Sequence, residues 1–320
     1  MKKQLNILFI DDIHPFLKEE LENLSCRCVD GTSFSEEEIK EQIQQYDGIV
    51  IRSRINLSEE ILSKADKLLF IARAGAGMES IDIFYAEKHN ITCFNSPEGN
   101  RNALGEHALG MLLSLTNKLC TANAQVKKGI WKREENRGVE IGGKTIGIIG
   151  YGNMGSAFSK KLSGFDVNCI AYDKYKKNFS DNYVKEVSME EVFETADILS
   201  LHIPLTEETK QLVNKDYLQQ FKKEIILINT ARGPIVNTKD LVEALKTKKV
   251  LAAALDVLEY EKNSFEKLGI ENLPEEFHYL AKSENVILTP HIAGWTKESK
   301  KKHAEVLVEK IKTNILEIGD

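Results

Sequence analysis

Short apolar runs alternate with longer amphipathic stretches along almost the whole chain. Asn6–Ile10, Gly48–Ile51 and Leu68–Ala72 form an early series of predicted strands. Ser58–Lys64 between them reads as a helix with Ser58 as its N-cap. A second series runs through Thr145–Ile149, Val167–Tyr172, Ile198–His202, Ile225–Asn229, Leu251–Leu255 and Val286–Thr289. Strands alternating with helices in this way predict βαβ units and parallel sheets, hence an α/β chain with a doubly wound second half.

Between the two series lies Ala103–Leu119. There Leu104, Ala108, Met111, Leu112 and Leu115 recur at helical spacing, over a length that can cross from one domain to the other. The tail, Lys297–Ile318, carries a helical pattern again. No internal repeat or low-complexity tract interrupts the scheme.

A length of 320 residues predicts two domains rather than one core. The hydrophobic share of 42% and charged share of 29% are those of a soluble globular protein. A net charge of −6 argues against a nucleic-acid partner, which calls for a basic excess or face. No apolar run reaches the ~20 residues of a membrane span, so no membrane partner is expected. Met1–Ile10 meets Asp11 and Asp12 without a small-residue cleavage site, so it reads as a first strand and not a signal peptide. The cysteines, Cys26, Cys28, Cys93, Cys120 and Cys169, show neither a CxxC pair nor metal-ligand spacing. Reduced thiols in a cytoplasmic protein without a bound metal are the expectation.

The strongest local motif is Thr145–Gly155, in which Gly150, Gly152 and Gly155 fit G-x-G-x-x-G. The pattern alone is weak, but a β-rich run precedes it and a helical pattern, Ser156–Leu162, follows. Gly150 permits the tight turn, Gly152 lets backbone approach a pyrophosphate, and Gly155 lets helix and strand pack closely. Asp173 ends the next strand at the spacing of a ribose-binding acid, which accepts from the hydroxyls of NAD and repels the extra phosphate of NADP. A glycine turn with a surface aspartate would explain each feature singly, but not strand, three glycines, helix and acid together.

Three further segments each place a reactive residue just after a predicted strand. Ile226–Pro234 carries Arg232, Ala252–Glu261 carries Glu261, and Val286–Trp295 carries His291. Ligands of open α/β sheets sit at the carboxyl ends of the strands, so these distant residues are expected to converge beside Gly152. Arginine forks onto a carboxylate and polarises an adjacent oxo group. Histidine exchanges a proton with the alkoxide or hydroxyl, and a neighbouring glutamate orients the ring and favours the imidazolium. Taken one at a time, a histidine after a strand, a surface arginine and a glutamate near Glu259 are ordinary. Their joint occurrence after a dinucleotide motif is not.

With these motifs the sequence resembles the D-isomer-specific 2-hydroxyacid dehydrogenases, most nearly the phosphoglycerate dehydrogenase branch. The likeness runs through Gly75–Gly77, Gly150–Gly155, Asn229–Gly233, Leu255–Val257 with Glu261, and Pro290–Gly294. The resemblance implies Arg232, Glu261 and His291 as the catalytic trio. It implies a cofactor site in which Met154 and Asp173 hold pyrophosphate and ribose, Asp256 holds the nicotinamide amide, and Ala231 lies near the nicotinamide. Asn153, His202, Pro204, Thr230 and Gly294 complete the expected NAD set. Backbone N–H groups of Ala74, Gly75, Ala76 and Gly77 are implied to hold the substrate carboxylate.

The family fold implies a Rossmann NAD domain, residues 99–295, inserted into a flavodoxin-like substrate domain made of residues 1–98 and a returning helix at 296–320. The helix at Ala103–Leu119 belongs to the family's dimer contact, so a homodimer is implied. Two features depart from the family pattern. Lys262 stands where most relatives have proline, followed by a longer segment, Asn263–Lys282. The chain also ends at Asp320 without the serine-binding regulatory domain of many phosphoglycerate dehydrogenases, so feedback by that route is not expected.

For the substrate, Gly48–Leu57 resembles the segment that faces the far end of phosphoglycerate in some relatives. Arg52 and Arg54 share one side if the chain there is extended, and two converging arginines suit a phosphate. Ion pairs with Glu59 and Glu60 are the ordinary alternative. The preferred expectation is therefore an NAD-dependent dehydrogenase of 3-phosphoglycerate, with serine biosynthesis as its setting. A glyoxylate, hydroxypyruvate or D-lactate type of reductase is the alternative within the class. An NAD-sensing protein without turnover is the alternative outside it, and the trio argues against that.

Overall fold

The computed structural model describes residues 4–261 and 273–316. These divide into two compact units. Residues 4–100 with 295–316 make one, and residues 101–261 with 273–294 the other.

The first unit opens with β1 (Asn6–Phe9), α1 (Pro15–Asn23), β2 (Arg27–Asp30), α2 (Glu36–Gln42) and β3 (Gly48–Ile51). It continues through α3 (Glu59–Leu62), β4 (Phe70–Arg73), α4 (Ile83–Lys88) and β5 (Thr92–Phe94) into α5 (Pro97–Thr116). Its five parallel strands run in the order β2-β1-β3-β4-β5, the flavodoxin-like arrangement. Both faces are covered, which explains the continuous apolar runs in place of alternation. Leu8, Ile49, Ile51 and Ile71 pack on Ile39, Ile43 and Ile61 on one side. Ile7, Val50, Phe70 and Ala72 pack on Leu17, Leu21 and the tail residues Ala304, Leu307 and Ile311 on the other.

The second unit takes up α6 (Leu119–Val126), β6 (Thr145–Ile149), α7 (Asn153–Lys161), β7 (Asn168–Tyr172), β8 (Lys185–Glu186) and α8 (Met189–Thr195). Then come β9 (Ile198–Leu201), α9 (Lys215–Gln220), β10 (Ile225–Asn229), α10 (Thr238–Lys246), β11 (Val250–Leu255), α11 (Glu275–Lys282) and β12 (Val286–Leu288). Seven parallel strands are ordered β12-β11-β10-β9-β6-β7-β8. The order reverses between β6 and β9, the switch point at which a Rossmann sheet opens its ligand crevice. The last helix, α12 (Lys297–Ile311), belongs to the first unit and is started by a Thr296–Ser299 capping box.

The two parallel sheets match the α/β expectation, and the differences lie at the sheet edges. β2, β5 and β8 are not in the predicted series: Arg-Cys-Val-Asp, Thr-Cys-Phe and Lys-Glu are short and polar because edge strands bury little. The helix expected at Ala103–Leu119 starts earlier, at Pro97, and stops at Thr116. Lys118, in the left-handed region, separates it from α6. Ser58 takes the N-cap position of α3 by its backbone alone, with no side-chain bond. Lys262 and the first part of the Asn263–Lys282 segment lie outside the described residues, as does the end of the tail beyond Leu316.

Candidate active site

In the Rossmann unit two of the three glycines are fixed by contact. Gly150 sits at φ 90, where a Cβ would come 2.6 Å from the carbonyl oxygen of His202. A Cβ on Gly155 would lie 2.1 Å from the carbonyl oxygen of Gly150, so α7 presses directly on the turn. A Cβ on Gly152 would meet nothing within 4 Å, which leaves open space over the backbone. α7 begins at this point with Gly152 as N-cap and no side-chain cap. The first-turn N–H groups of Asn153, Met154 and Gly155 donate to no protein acceptor among the described residues. An open cradle at a helix N-terminus fits the pyrophosphate of a dinucleotide.

Asp173 follows β7. Its Oδ2 accepts the N–H of Tyr151 at 2.8 Å, and its Oδ1 accepts those of Tyr175 and Lys176 at 2.9 Å each. Burial raises its pKa, but the backbone donors outweigh that and hold the carboxyl below the usual range. Three of about four acceptor positions are thus engaged, leaving one without a donor among the described residues. Lys174 pairs with Glu208, and Lys176 and Lys177 donate to the carbonyls of Tyr151 and Asp173.

Across the switch point His202 is half-buried with its Nδ1 shielded, and burial of the ring pushes its pKa down to about 3, so the ring is neutral. Its Nε2 meets Ser200 Oγ at 2.9 Å, while its Nδ1 has no partner among the described residues. Pro204 accepts from Thr209 through its carbonyl. Thr230 Oγ1 is buried and likewise without a partner. Two such orphaned polar atoms fit a polar ligand.

The three segments after β10, β11 and β12 are tied to one another. Asn229 shapes the first turn, accepting the N–H of Ala231 at 3.0 Å and donating to the carbonyl of Arg232 at 3.0 Å. A Cβ on Gly233 would come 1.9 Å from the carbonyl oxygen of Leu258, so this turn lies against the next one. Arg232 Nη1 donates to the carbonyl of Ala231 at 2.7 Å. In the second turn the two neighbouring glutamates separate. Glu259 accepts from Thr238 N–H and Gln211, whereas Glu261 accepts from Leu258 N–H and from His291 Nδ1, the latter at 2.6 Å. Glu261 as acceptor assigns the ring proton to Nδ1 and turns Nε2 away from it.

His291 itself is at φ 55, a left-handed conformation that histidine adopts rarely. Asp256 holds it there. The carbonyl of Asp256 accepts His291 N–H at 2.7 Å, and its buried carboxylate accepts the N–H groups of Ile292 and Ala293 at 2.9 and 2.8 Å. Thr289 Oγ1 donates to the same carboxylate at 2.5 Å, and His107 Nε2 lies 3.5 Å from it. Burial raises the carboxyl pKa, but these four groups more than offset it and keep Asp256 ionised. One lone pair on Oδ2 remains for the nicotinamide amide implied by the resemblance. Gly294 closes this turn, half-buried. His107 and Thr289 have no motif signal, since one is a polar residue on α5 and the other merely ends a strand.

In the flavodoxin-like unit, Ala74–Gly77 follows β4. Ala74 N–H donates to Ile51, and Gly75 N–H to Arg73 and to Ser96 Oγ. Those two donors are therefore engaged, while those of Ala76 and Gly77 have no acceptor among the described residues. A Cβ on Gly75 would lie 1.9 Å from Arg73 Nη1, so a side chain there would displace the Arg73 guanidinium. Arg52 and Arg54, expected to share one side, have different partners. β3 ends at Ile51 and the chain bends after it. Arg54 donates to the carbonyls of Ile10, Gly31 and Phe34, at 2.6 to 3.1 Å, and braces loops. Arg52 stacks on Trp295, 3.5 Å from the ring centroid, with no hydrogen bond from its guanidinium among the described residues.

A Rossmann sheet with an open glycine cradle, an acid after its second strand and a His–Glu pair at the strand ends defines a dinucleotide-binding unit. Residues 109–293 match the family model described as D-isomer specific 2-hydroxyacid dehydrogenase, NAD binding domain, and the chain belongs to that family. It is 36% identical over 88% of its length to the D-3-phosphoglycerate dehydrogenase of Archaeoglobus fulgidus, of which it covers 51%. It is 34% identical to the hydroxypyruvate reductase of Thermotoga maritima, with 92% of this chain and 91% of that one covered. The crystal structure of D-lactate dehydrogenase with NAD+ from Lactobacillus jensenii superposes with a TM-score of 0.79 at 29% identity, over 99% of this chain and 98% of that one. The chain thus spans about half the length of the phosphoglycerate dehydrogenases it matches.

Proposed function

We propose that the protein is an NAD-dependent dehydrogenase of D-2-hydroxy acids. The contact that carries this reading is the 2.6 Å bond from His291 Nδ1 to Glu261, on a ring pinned by Asp256. NAD, when bound, accepts or supplies the hydride. In reduction, His291 holds a proton at Nε2 and releases it to the developing alkoxide; in oxidation it takes the hydroxyl proton. Glu261 keeps Nδ1 protonated and the ring oriented. Arg232 binds the carboxylate and polarises the oxo group. Within the flavodoxin-like unit, the N–H groups of Ala76 and Gly77, which have no acceptor among the described residues, suit a carboxylate.

For the substrate, the favoured reading is 3-phosphoglycerate and its 2-oxo product. Arg52, half-buried over the Trp295 ring with Asp11 and Asp12 nearby and no hydrogen-bond acceptor for its guanidinium among the described residues, supports a second anionic group on the substrate. Hydroxypyruvate is the second reading, favoured by the near full-length match to the Thermotoga maritima reductase and by the removal of Arg54 from the phosphate site. NADH-dependent reduction of 3-phosphohydroxypyruvate against hydroxypyruvate, glyoxylate and pyruvate separates them. A homodimer is proposed as well. Leu119, Val126, Ile130, Trp131 and Val139, on and just after α6, are large apolar side chains left exposed, and sedimentation tests this. Among the described residues no helix is long and apolar enough to cross a membrane, and a cytoplasmic setting remains part of the proposal.

A further inference from the structure

We propose that His303 and Lys310 of α12 are positioning residues for substrate binding, acting through Ser96 and Asn95 to aim the N–H groups of Ala76 and Gly77. This rests on the reading of Ala74–Gly77 as a carboxylate-binding loop.

A trans peptide is planar, with its C=O and N–H pointing in opposite directions. Holding a carbonyl therefore sets the direction of the next residue's N–H. Ser96 N–H donates to the carbonyl of Gly75 at 2.8 Å, which sets the N–H of Ala76. Asn95 Nδ2 donates to the carbonyl of Ala76 at 2.7 Å, which sets the N–H of Gly77. Ser96 Oγ meanwhile accepts Gly75 N–H at 3.1 Å, closing a two-point clamp. The two N–H groups aimed this way are the two that have no acceptor of their own among the described residues.

The clamp is itself held from α12, 207 residues away in sequence. His303 Nδ1 lies 2.8 Å from both the carbonyl and the hydroxyl oxygen of fully buried Ser96. Lys310 Nζ donates to the carbonyl of Asn95 at 2.9 Å and to both carboxylate oxygens of Glu98 at 3.1 Å. A Cβ on Gly99 would come 2.7 Å from His303 N and Nδ1, so helix and turn are in direct contact. Packing alone would be served by an apolar residue at 303. A buried imidazole whose polar contacts both fall on Ser96 fixes the orientation of that residue instead.

The test uses the full-length protein and whichever of glyoxylate, pyruvate, hydroxypyruvate and 3-phosphohydroxypyruvate the wild type reduces best. His303→Leu and Lys310→Met should each raise KM for the 2-oxo acid roughly tenfold or more, the scale of one misdirected hydrogen bond to a charged group. The NADH dissociation constant should stay within about twofold. His303→Asn, whose amide sits where Nδ1 was, should restore KM to within about threefold. Folded His303→Leu and Lys310→Met proteins with unchanged KM overturn the proposal; if His303→Leu does not fold, Lys310→Met decides alone. Gly77→Pro, which removes one donor, separates the two failures. A KM rise there with none in the α12 variants retires only the positioning role, and no rise in any variant retires the loop reading too.

Discussion

Asp256 grips the chain around His291 from both sides, accepting the His291 N–H on its carbonyl and the two following N–H groups on its carboxylate. The grip explains how a histidine is kept at φ 55 at the mouth of the sheet. Asp256→Asn keeps the size but replaces an acceptor oxygen by a donor, so at least one N–H loses its partner. Loss of a buried hydrogen bond to a charged group is worth roughly 1.5–3 kcal/mol. We expect kcat to fall about ten- to a hundredfold, and NADH to bind more weakly as well through the lost contact with the nicotinamide amide. A variant with wild-type kcat would show that the His291 loop holds its shape unaided.

The proton role of His291 is best probed by His291→Asn, because asparagine tolerates the left-handed region where alanine is strained. Turnover should drop roughly 10²–10⁴-fold, the usual range for a lost acid or base. The NADH titration should be unchanged, since Gly150–Gly155 is untouched. Glu261→Gln keeps an acceptor for Nδ1 but not the charge, and should fall between wild type and His291→Asn. Retained turnover in His291→Asn would remove the histidine from the chemistry.

Arg52 and Arg54 should now behave differently. Arg52→Ala should weaken 3-phosphohydroxypyruvate by about ten- to a hundredfold in KM and leave hydroxypyruvate nearly unaffected. Trp295→Ala should reproduce part of that selectivity by freeing the guanidinium from its stacking partner. Arg54→Ala should lower the thermal midpoint, because three backbone carbonyls lose their donor, while the ratio of the two KM values stays put. Equal losses on both substrates in Arg52→Ala would favour hydroxypyruvate over the phosphate reading.

Acid stability should carry the signature of His303. Burial, with Arg73 and Arg52 nearby, holds its pKa down to about 4, although the Ser96 carbonyl and Glu98 pull the other way. The unfolded chain takes up a proton near pH 6.5 and the folded one only near 4, so folding stability falls as pH drops through that window. At ~1.4 kcal/mol per unit the loss approaches about 3 kcal/mol. His202, neutral down to about 3, adds in the same direction. Asp173 and Asp256, held below the carboxylate range, contribute stability that is present above pH 3.8 and lost only below it. Denaturant melts from pH 7 to 4 should show a shallower slope in His303→Asn, and parallel slopes would contradict the assignment.

Much of this was legible from spacing. The alternation of apolar runs gives the parallel sheets, and the spacing of Gly150, Gly152, Gly155 and Asp173 gives the dinucleotide turn, with contacts at Gly150 and Gly155 excluding a side chain. Arg232, Glu261 and His291 stand out because each follows a strand. Other features depend on where side chains turn after the chain leaves regular structure. Arg52 and Arg54 look paired only if Ile51–Ile55 stays extended, and it bends. Ser96 and His303 have no local signal, since their relation exists only once α12 packs back on the first sheet. Asp256 reads as a ligand-facing acid, and its grip on three loop residues is visible only in coordinates.

Turnover with NADH over a panel of 2-oxo acids, in parallel with NADH titration, tests the central claim most directly. The account predicts NADH binding together with reduction of at least one panel member to the D-hydroxy acid, abolished in His291→Asn without loss of NADH affinity. NADH binding with no turnover on any 2-oxo acid would contradict it and leave an NAD-sensing protein in its place.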